Sequence, residues 1–168
     1  MVVEIEIHVT GNVIGQMEKG TGMFRQLLRT NQDVAPLIMR LCLAVVIFPH
    51  GAQKVLGIWG GHGLTAAFDA FSKMGFPAPL AALDFAAEFL GPIALAFGFL
   101  TRVAGLGIAV VMTVAALAVH VQNGFFMNWT GAQHGEGFEY HILVLGLALG
   151  LVLQGGGKAS LDGWITRS

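Results

Sequence analysis

Apolar residues along this chain run in blocks rather than in stripes. Val34 to Leu56, about Leu80 to Leu100, and Val103 to His120 are mostly apolar with few polar interruptions, and Phe138 to Gln154 is a shorter version of the same. Blocks of about 20 such residues match the hydrocarbon thickness of a bilayer. The pattern predicts an all-α integral membrane four-helix bundle, with spans over 34–56, 80–100, 103–120 and 138–154. Pro36 suits the first turn of the first span. Val103 to Val119 contains no charge, whereas the uninterrupted apolar part of the fourth span, Ile142 to Leu153, is short. Thr101 and Arg102 leave almost no room between the second and third spans, which predicts an antiparallel hairpin.

Between the first two spans, Leu64, Ala67, Phe68 and Phe71 recur at helical spacing. This predicts a short interfacial helix in the first outer loop, an anchor without chemistry. Trp59 and Trp129 fall at the outer boundary and Trp164 at the inner one, as aromatic belts do. Gly146 and Gly150 form a GxxxG, a candidate close-packing face. Residues 1–33 read as a cytoplasmic extension and 34–168 as the transmembrane domain.

Composition agrees with the pattern. Of the 168 residues, 55% are hydrophobic and 11% charged, and mean hydropathy is +0.71. A soluble domain carries roughly 25% charge. The net charge is −1 and there is no basic tract, which argues against nucleic acid as a partner. The single cysteine, Cys42, lies in an apolar run and has no thiol partner, which excludes dithiol exchange chemistry. The first 20 residues lack a charged-then-apolar signal pattern, so no cleavable leader is expected.

Basic residues set the expected orientation. With a cytoplasmic N-terminus, the inside holds Lys19, Arg25, Arg29, Arg102, Lys158 and Arg167, and the outside holds Lys54 and Lys73. That bias places both termini in the cytoplasm.

Ionisable residues within the spans carry the candidate chemistry, because each demands a partner or a function in hydrocarbon. His50 and Lys54 are four apart on the first span, and Asp84 and Glu88 are four apart on the second. At 1.5 Å of rise per residue, Glu88 lies ~12 Å and Asp84 ~6 Å below the outer surface, and Arg40 ~9 Å above the inner one. His50, Lys54, His120, Glu139 and His141 fall within about two turns of the outer face. Glu88, the deepest acid, needs Arg40 or Lys54 as its counter-charge. The bland alternative is that these groups are snorkelling helix ends or buried structural pairs. His134, Glu136, Glu139 and His141 are metal-capable, but no fixed ligand spacing joins them, so metal is disfavoured.

Read in order, Arg40, "HGAQKVLG", "EFLGPIALAFGFLTR", a small-residue span ending at His120, "GFEYHILVLGLAL" and "GGGKASLD" resemble the DoxX family of small four-helix membrane proteins. The resemblance spans about Pro36 to Asp162. It implies a multi-pass protein of the bacterial inner membrane and maps family motifs onto Arg40, Gly51, Lys54, Glu88, Gly98, Arg102, Glu139 and Asp162. The family takes its name from a subunit associated with thiosulfate:quinone oxidoreductase activity. The first function class this implies is a subunit of, or partner to, a quinone-linked oxidoreductase system. Glu88, Lys54, His50 and Arg40 would then form the polar site, and Asp84, His120 and Glu139 would line a quinone cavity. Beyond the lipid bilayer, a redox partner protein is implied. A non-catalytic scaffold for a partner enzyme is the second class. A small-molecule or ion carrier using the same cavity is the third.

Overall fold

The computed structural model describes residues 22–167. The expectations about a leader, about Lys19 and about most of the 1–33 extension lie outside the described residues. Within them the chain is all-helical and has no strand. A short helix, α1 (22–27), leads to α2 (Val34–Leu56), α3 (Gly63–Lys73), α4 (Ala78–Phe97), α5 (Thr101–Ala115), α6 (Glu139–Gln154) and α7 (Leu161–Arg167). Three segments are long and apolar enough to cross a membrane: α2, α4, and α5 with its continuation to Asn123. The remaining long helix, α6, has 16 residues, about 24 Å of helix.

Packing runs from α2 to α4, α4 to α5, α5 to α6 and α6 back to α2. Leu43, Ile47, Leu95, Ile108, Met112 and Leu151 form the shared core. Outside that core the apolar surface continues. Val45, Leu83, Leu117, Leu143 and Leu153 are all exposed, a surface that suits contact with lipid. Cys42, within the apolar run of α2, is on this outer face too.

Glycines decide how closely the helices approach. A Cβ at Gly51 would overlap the backbone carbonyl of Glu88, so α2 and α4 touch backbone to backbone there. That contact sets Lys54, one turn further along α2, beside the acids of α4. The α5–α6 approach is at Gly105, where a Cβ would sit 3.0 Å from the Ala148 carbonyl oxygen. The GxxxG of α6 does not make this contact: Gly146 faces open space and Gly150 meets the Met39 side chain.

Two boundaries differ from the sequence pattern. The helix α4 stops at Phe97 because Gly98 (φ 64°) and Leu100 (φ 47°) turn the chain through the left-handed region. After Ala115, α5 loosens into a π-helical turn, Ala116–His120, and then tightens into a 3₁₀ turn, Val121–Asn123. Hydrophobicity does not distinguish these windings, so the pattern merged them into one span.

At the end of the molecule that carries the 98–100 turn, three charged side chains clasp backbone. Arg40, 1% exposed, donates from Nη1 to the carbonyls of Leu95 (3.1 Å) and Ala96 (2.9 Å). Its Nη2 donates to those of Lys158 (3.1 Å) and Ala159 (2.6 Å). Arg102 donates to the carbonyls of Val152, Leu153 and Arg29. Asp162 accepts from the amides of Leu100 (2.7 Å) and Thr101 (2.9 Å). Each charge suits its helix end: cations on the last carbonyls of α4 and α6, the carboxylate on the first amides of α5. Residues 28–33, which the sequence reading placed in the extension, join this clasp. Leu28 is fully buried, Thr30 Oγ1 accepts from Gly157 N at 2.6 Å, and Lys158 N donates to the Asp33 carbonyl at 2.9 Å.

Candidate functional site

At the opposite end the stretch "HGAQKVLGIWGGHG" folds into the close of α2 and a tight turn. Gly57 ends the helix at φ 70°. Gln53 Nε2 donates to the Trp59 carbonyl at 2.9 Å, and Gly61 lies flat against the Gln53 backbone, where a Cβ would overlap it. Gln53 is therefore part of the turn. His50, itself exposed, and Lys54 remain to line the cavity between the helices.

Lys54 lies between two acids of α4. Its ammonium donates to Asp84 Oδ2 at 2.7 Å. It lies 2.6 Å from Glu88 Oε2, an ion contact at an angle poor for hydrogen bonding. Glu88 is 4% exposed. Of the two counter-charges the sequence offered Glu88, the structure uses Lys54. Arg40 lies in the clasp at the other end, on backbone carbonyls, and is not part of this cluster.

The cluster opens onto a cavity of about 460 Å³. Its apolar wall includes Phe71, Phe76, Met112, Ala115, Ala118 and Val119, and its polar groups are those of His50, Lys54, Asp84, Glu88, His120, Glu136, Tyr140 and His141. The π turn of α5 supplies Ala118, Val119 and His120 to this wall, as π segments often do at functional sites. The α3 helix is more than an anchor. Phe68 and Phe71 pack edge-on to Phe85 with centroids 4.9 and 5.2 Å apart, and the Lys54 ammonium stands 5.4 Å from the Phe71 ring centre. In this way α3 closes the cavity beside the charge cluster.

Glu139 is not on the cavity wall. Its Oε1 accepts from Met127 N (2.8 Å) and Trp129 Nε1 (3.3 Å), tying down the 124–138 loop. The next two residues, Tyr140 and His141, face the cavity in its place. Consecutive helix positions point about 100° apart, and spacing alone did not choose among the three. The rings of His141 and His120 stand 4.3 Å apart, and His120 Nδ1 is 2.9 Å from the Glu136 carbonyl. His62 and His134 are exposed and do not line the cavity. Among the described residues, no three His, Cys, Asp or Glu side chains converge as a metal site would require.

The DoxX family model matches residues 35–121, more than half of the chain. The chain belongs to the DoxX family. The matched segment holds His50, Lys54, Asp84 and Glu88 as well as Arg40, so both the charge cluster and part of the clasp lie in the family's shared region. Tyr140, His141 and Asp162 lie beyond it. An uncharacterized protein of Haemophilus influenzae is 29% identical over 135 residues, covering 77% of this chain and 82% of that one. A Bacillus subtilis protein named "Putative oxidoreductase CatD" is 26% identical over 133 residues, 79% of this chain and 88% of its own. The Escherichia coli "Inner membrane protein YqjF" is 28% identical over 131 residues, 78% of this chain and 92% of its own. No solved structure matches the chain. The DoxX assignment and the three apolar helices make this a membrane protein in contact with the lipid bilayer.

Proposed function

We propose that this DoxX protein is a four-helix bundle in the bacterial inner membrane and serves a quinone-linked oxidoreductase system as a subunit or partner. Both termini are cytoplasmic in this reading. Arg29, Arg102 and Lys158 gather at the clasp end, and Lys54 and Lys73 belong to the other, the asymmetry expected of a cytoplasmic and an external face. Reporter domains fused after Met127 and after Gly156 should report opposite sides of the membrane. The same side for both would refute the four-span arrangement.

One observation carries the functional reading: the Lys54–Asp84–Glu88 cluster opens onto a cavity instead of being sealed in the packing. The residues fit a quinone head group. A mostly apolar chamber of a few hundred Å³ with a few convergent polar groups is the usual form of a small-molecule site. Bound there, a quinone supplies a two-electron, two-proton acceptor. The chain supplies the rest. Glu88 and the Lys54 ammonium can hold and hand over protons at the wall, His50 and His120 can pass protons toward the mouth, and the apolar lining keeps bulk water out. Electrons come from a partner redox protein.

The names of two relatives support this reading, one by oxidoreductase and one by inner membrane. The clasp favours a second reading, a non-catalytic scaffold, because Arg40, Arg102 and Asp162 are spent on helix ends. Analysis of what accompanies the chain when it is purified from its native membrane separates the two. The quinone-linked reading predicts extractable quinone at near one per chain. A partner protein without quinone would support the scaffold.

A further inference from the structure

We infer that Tyr140 and His141 form the recognition end of the cavity, and that its occupant is an uncharged, flat molecule with an oxygen function that pairs with them. This rests on the quinone-linked reading and narrows it. Tyr140 Oη and His141 Nδ1 are buried polar atoms with no hydrogen-bond partner in the protein. His141 as a whole is 5% exposed. Buried polar atoms in folded proteins are nearly always paired, and both of these belong to residues on the cavity wall.

The two groups stand on the first turn of α6, while Asp84 and Glu88 stand on α4. Both helices pack against α2, which places His50 beside Tyr140 with ring centres 6.5 Å apart, so polar lining continues from the acids toward this pair. The phenol offers a donor, and the imidazole nitrogen offers a donor or an acceptor according to its tautomer. A carbonyl oxygen satisfies the phenol and the donor tautomer, and a hydroxyl satisfies either tautomer.

Charge decides against an anion. The lining holds one lysine, Lys54, against three carboxylates, Asp84, Glu88 and Glu136, and it holds no arginine. That lysine is already paired with two of the acids. A sulfur oxyanion entering this cavity would meet like charge and no free cation. A neutral oxo- or hydroxy-arene meets hydrogen-bonding groups for its oxygen and apolar side chains for its ring.

The test is calorimetric titration of 2-methyl-1,4-naphthoquinone into the purified chain in lipid nanodiscs, with melting temperature recorded for each variant without ligand. The wild-type chain should bind it. Tyr140→Phe and His141→Leu should each weaken binding about 3- to 10-fold, the range for a lost hydrogen bond. His141→Asn, whose amide can occupy the place of Nδ1, should retain most of the affinity. Tyr140→Phe should melt no lower than wild type, because the hydroxyl it removes bonds to nothing in the protein. A large excess of thiosulfate should leave the titration unchanged. Wild-type affinity in both Tyr140→Phe and His141→Leu would overturn the role of these residues while leaving the quinone-linked reading in place. Displacement by thiosulfate would overturn the uncharged ligand class. Absence of binding to the wild-type chain would overturn the quinone-linked reading and this inference together.

Discussion

Lys54→Met should destabilise the protein by about 3–5 kcal/mol, the range for removing one partner of a buried ion pair. The cost arises less from the lost attraction than from what stays behind. Asp84 and Glu88 would face each other within the membrane with no cation between them, their side chains 14% and 6% exposed. If that is the mechanism, neutralising the stranded acids should restore most of the loss. The triple variant Lys54→Met/Asp84→Asn/Glu88→Gln should therefore melt close to wild type in detergent, whereas Lys54→Met alone melts well below it. A triple variant no more stable than the single would mean that the lysine stem, packed near Phe71, matters more than its charge.

Arg40→Met should cost a comparable ~3–5 kcal/mol, for a different reason. Four carbonyls on two separate segments lose a charged donor at once, and the chain around Ser160 loses one of its ties to the end of α4. Arg40→Lys should rescue little, because a single ammonium cannot fork between the Leu95–Ala96 and Lys158–Ala159 carbonyl pairs. Thermal unfolding of both variants measures this. Where an Arg40 variant survives at low temperature, ligand binding in the distant cavity should be unaltered. Loss of binding with stability intact would return Arg40 to the polar site in which the sequence reading placed it.

These two arginine and lysine positions mark how far the sequence could be read. Hydrophobic blocks located the long helices because a lipid-facing helix must be apolar all round, and α2 begins and ends where its block does. That Asp84 and Glu88 share a helix face, and that Glu88 needs Arg40 or Lys54 as counter-charge, was legible from spacing and depth. Choosing between Arg40 and Lys54 needed depth along α2 relative to Glu88, which is fixed by the backbone contact at Gly51, and pattern does not encode helix stagger. The wall formed by Tyr140 and His141 was missed because three polar residues follow one another at the start of α6. Only the fold of the 124–138 loop reveals that Glu139 is occupied elsewhere. Phe71 read as part of a membrane anchor for the same reason: an amphipathic helix shows its apolar face in the sequence, but not whether lipid or a cavity lies beneath. The π turn before His120 has no hydrophobic signature at all.

The most direct test of the central claim, that the charge cluster at the cavity wall serves quinone-linked chemistry, is a comparison of wild type and Glu88→Gln. Both would be reconstituted with their native redox partner and assayed for quinone-linked turnover. Glutamine keeps the shape and the hydrogen-bonding capacity of glutamate but cannot supply a proton, and Lys54 keeps Asp84 as its partner. The account predicts normal insertion, retained partner binding and turnover reduced by at least ~100-fold, the lower end of what a positioned general acid–base group contributes. A Glu88→Gln protein that inserts, binds its partner and turns over at the wild-type rate would contradict it.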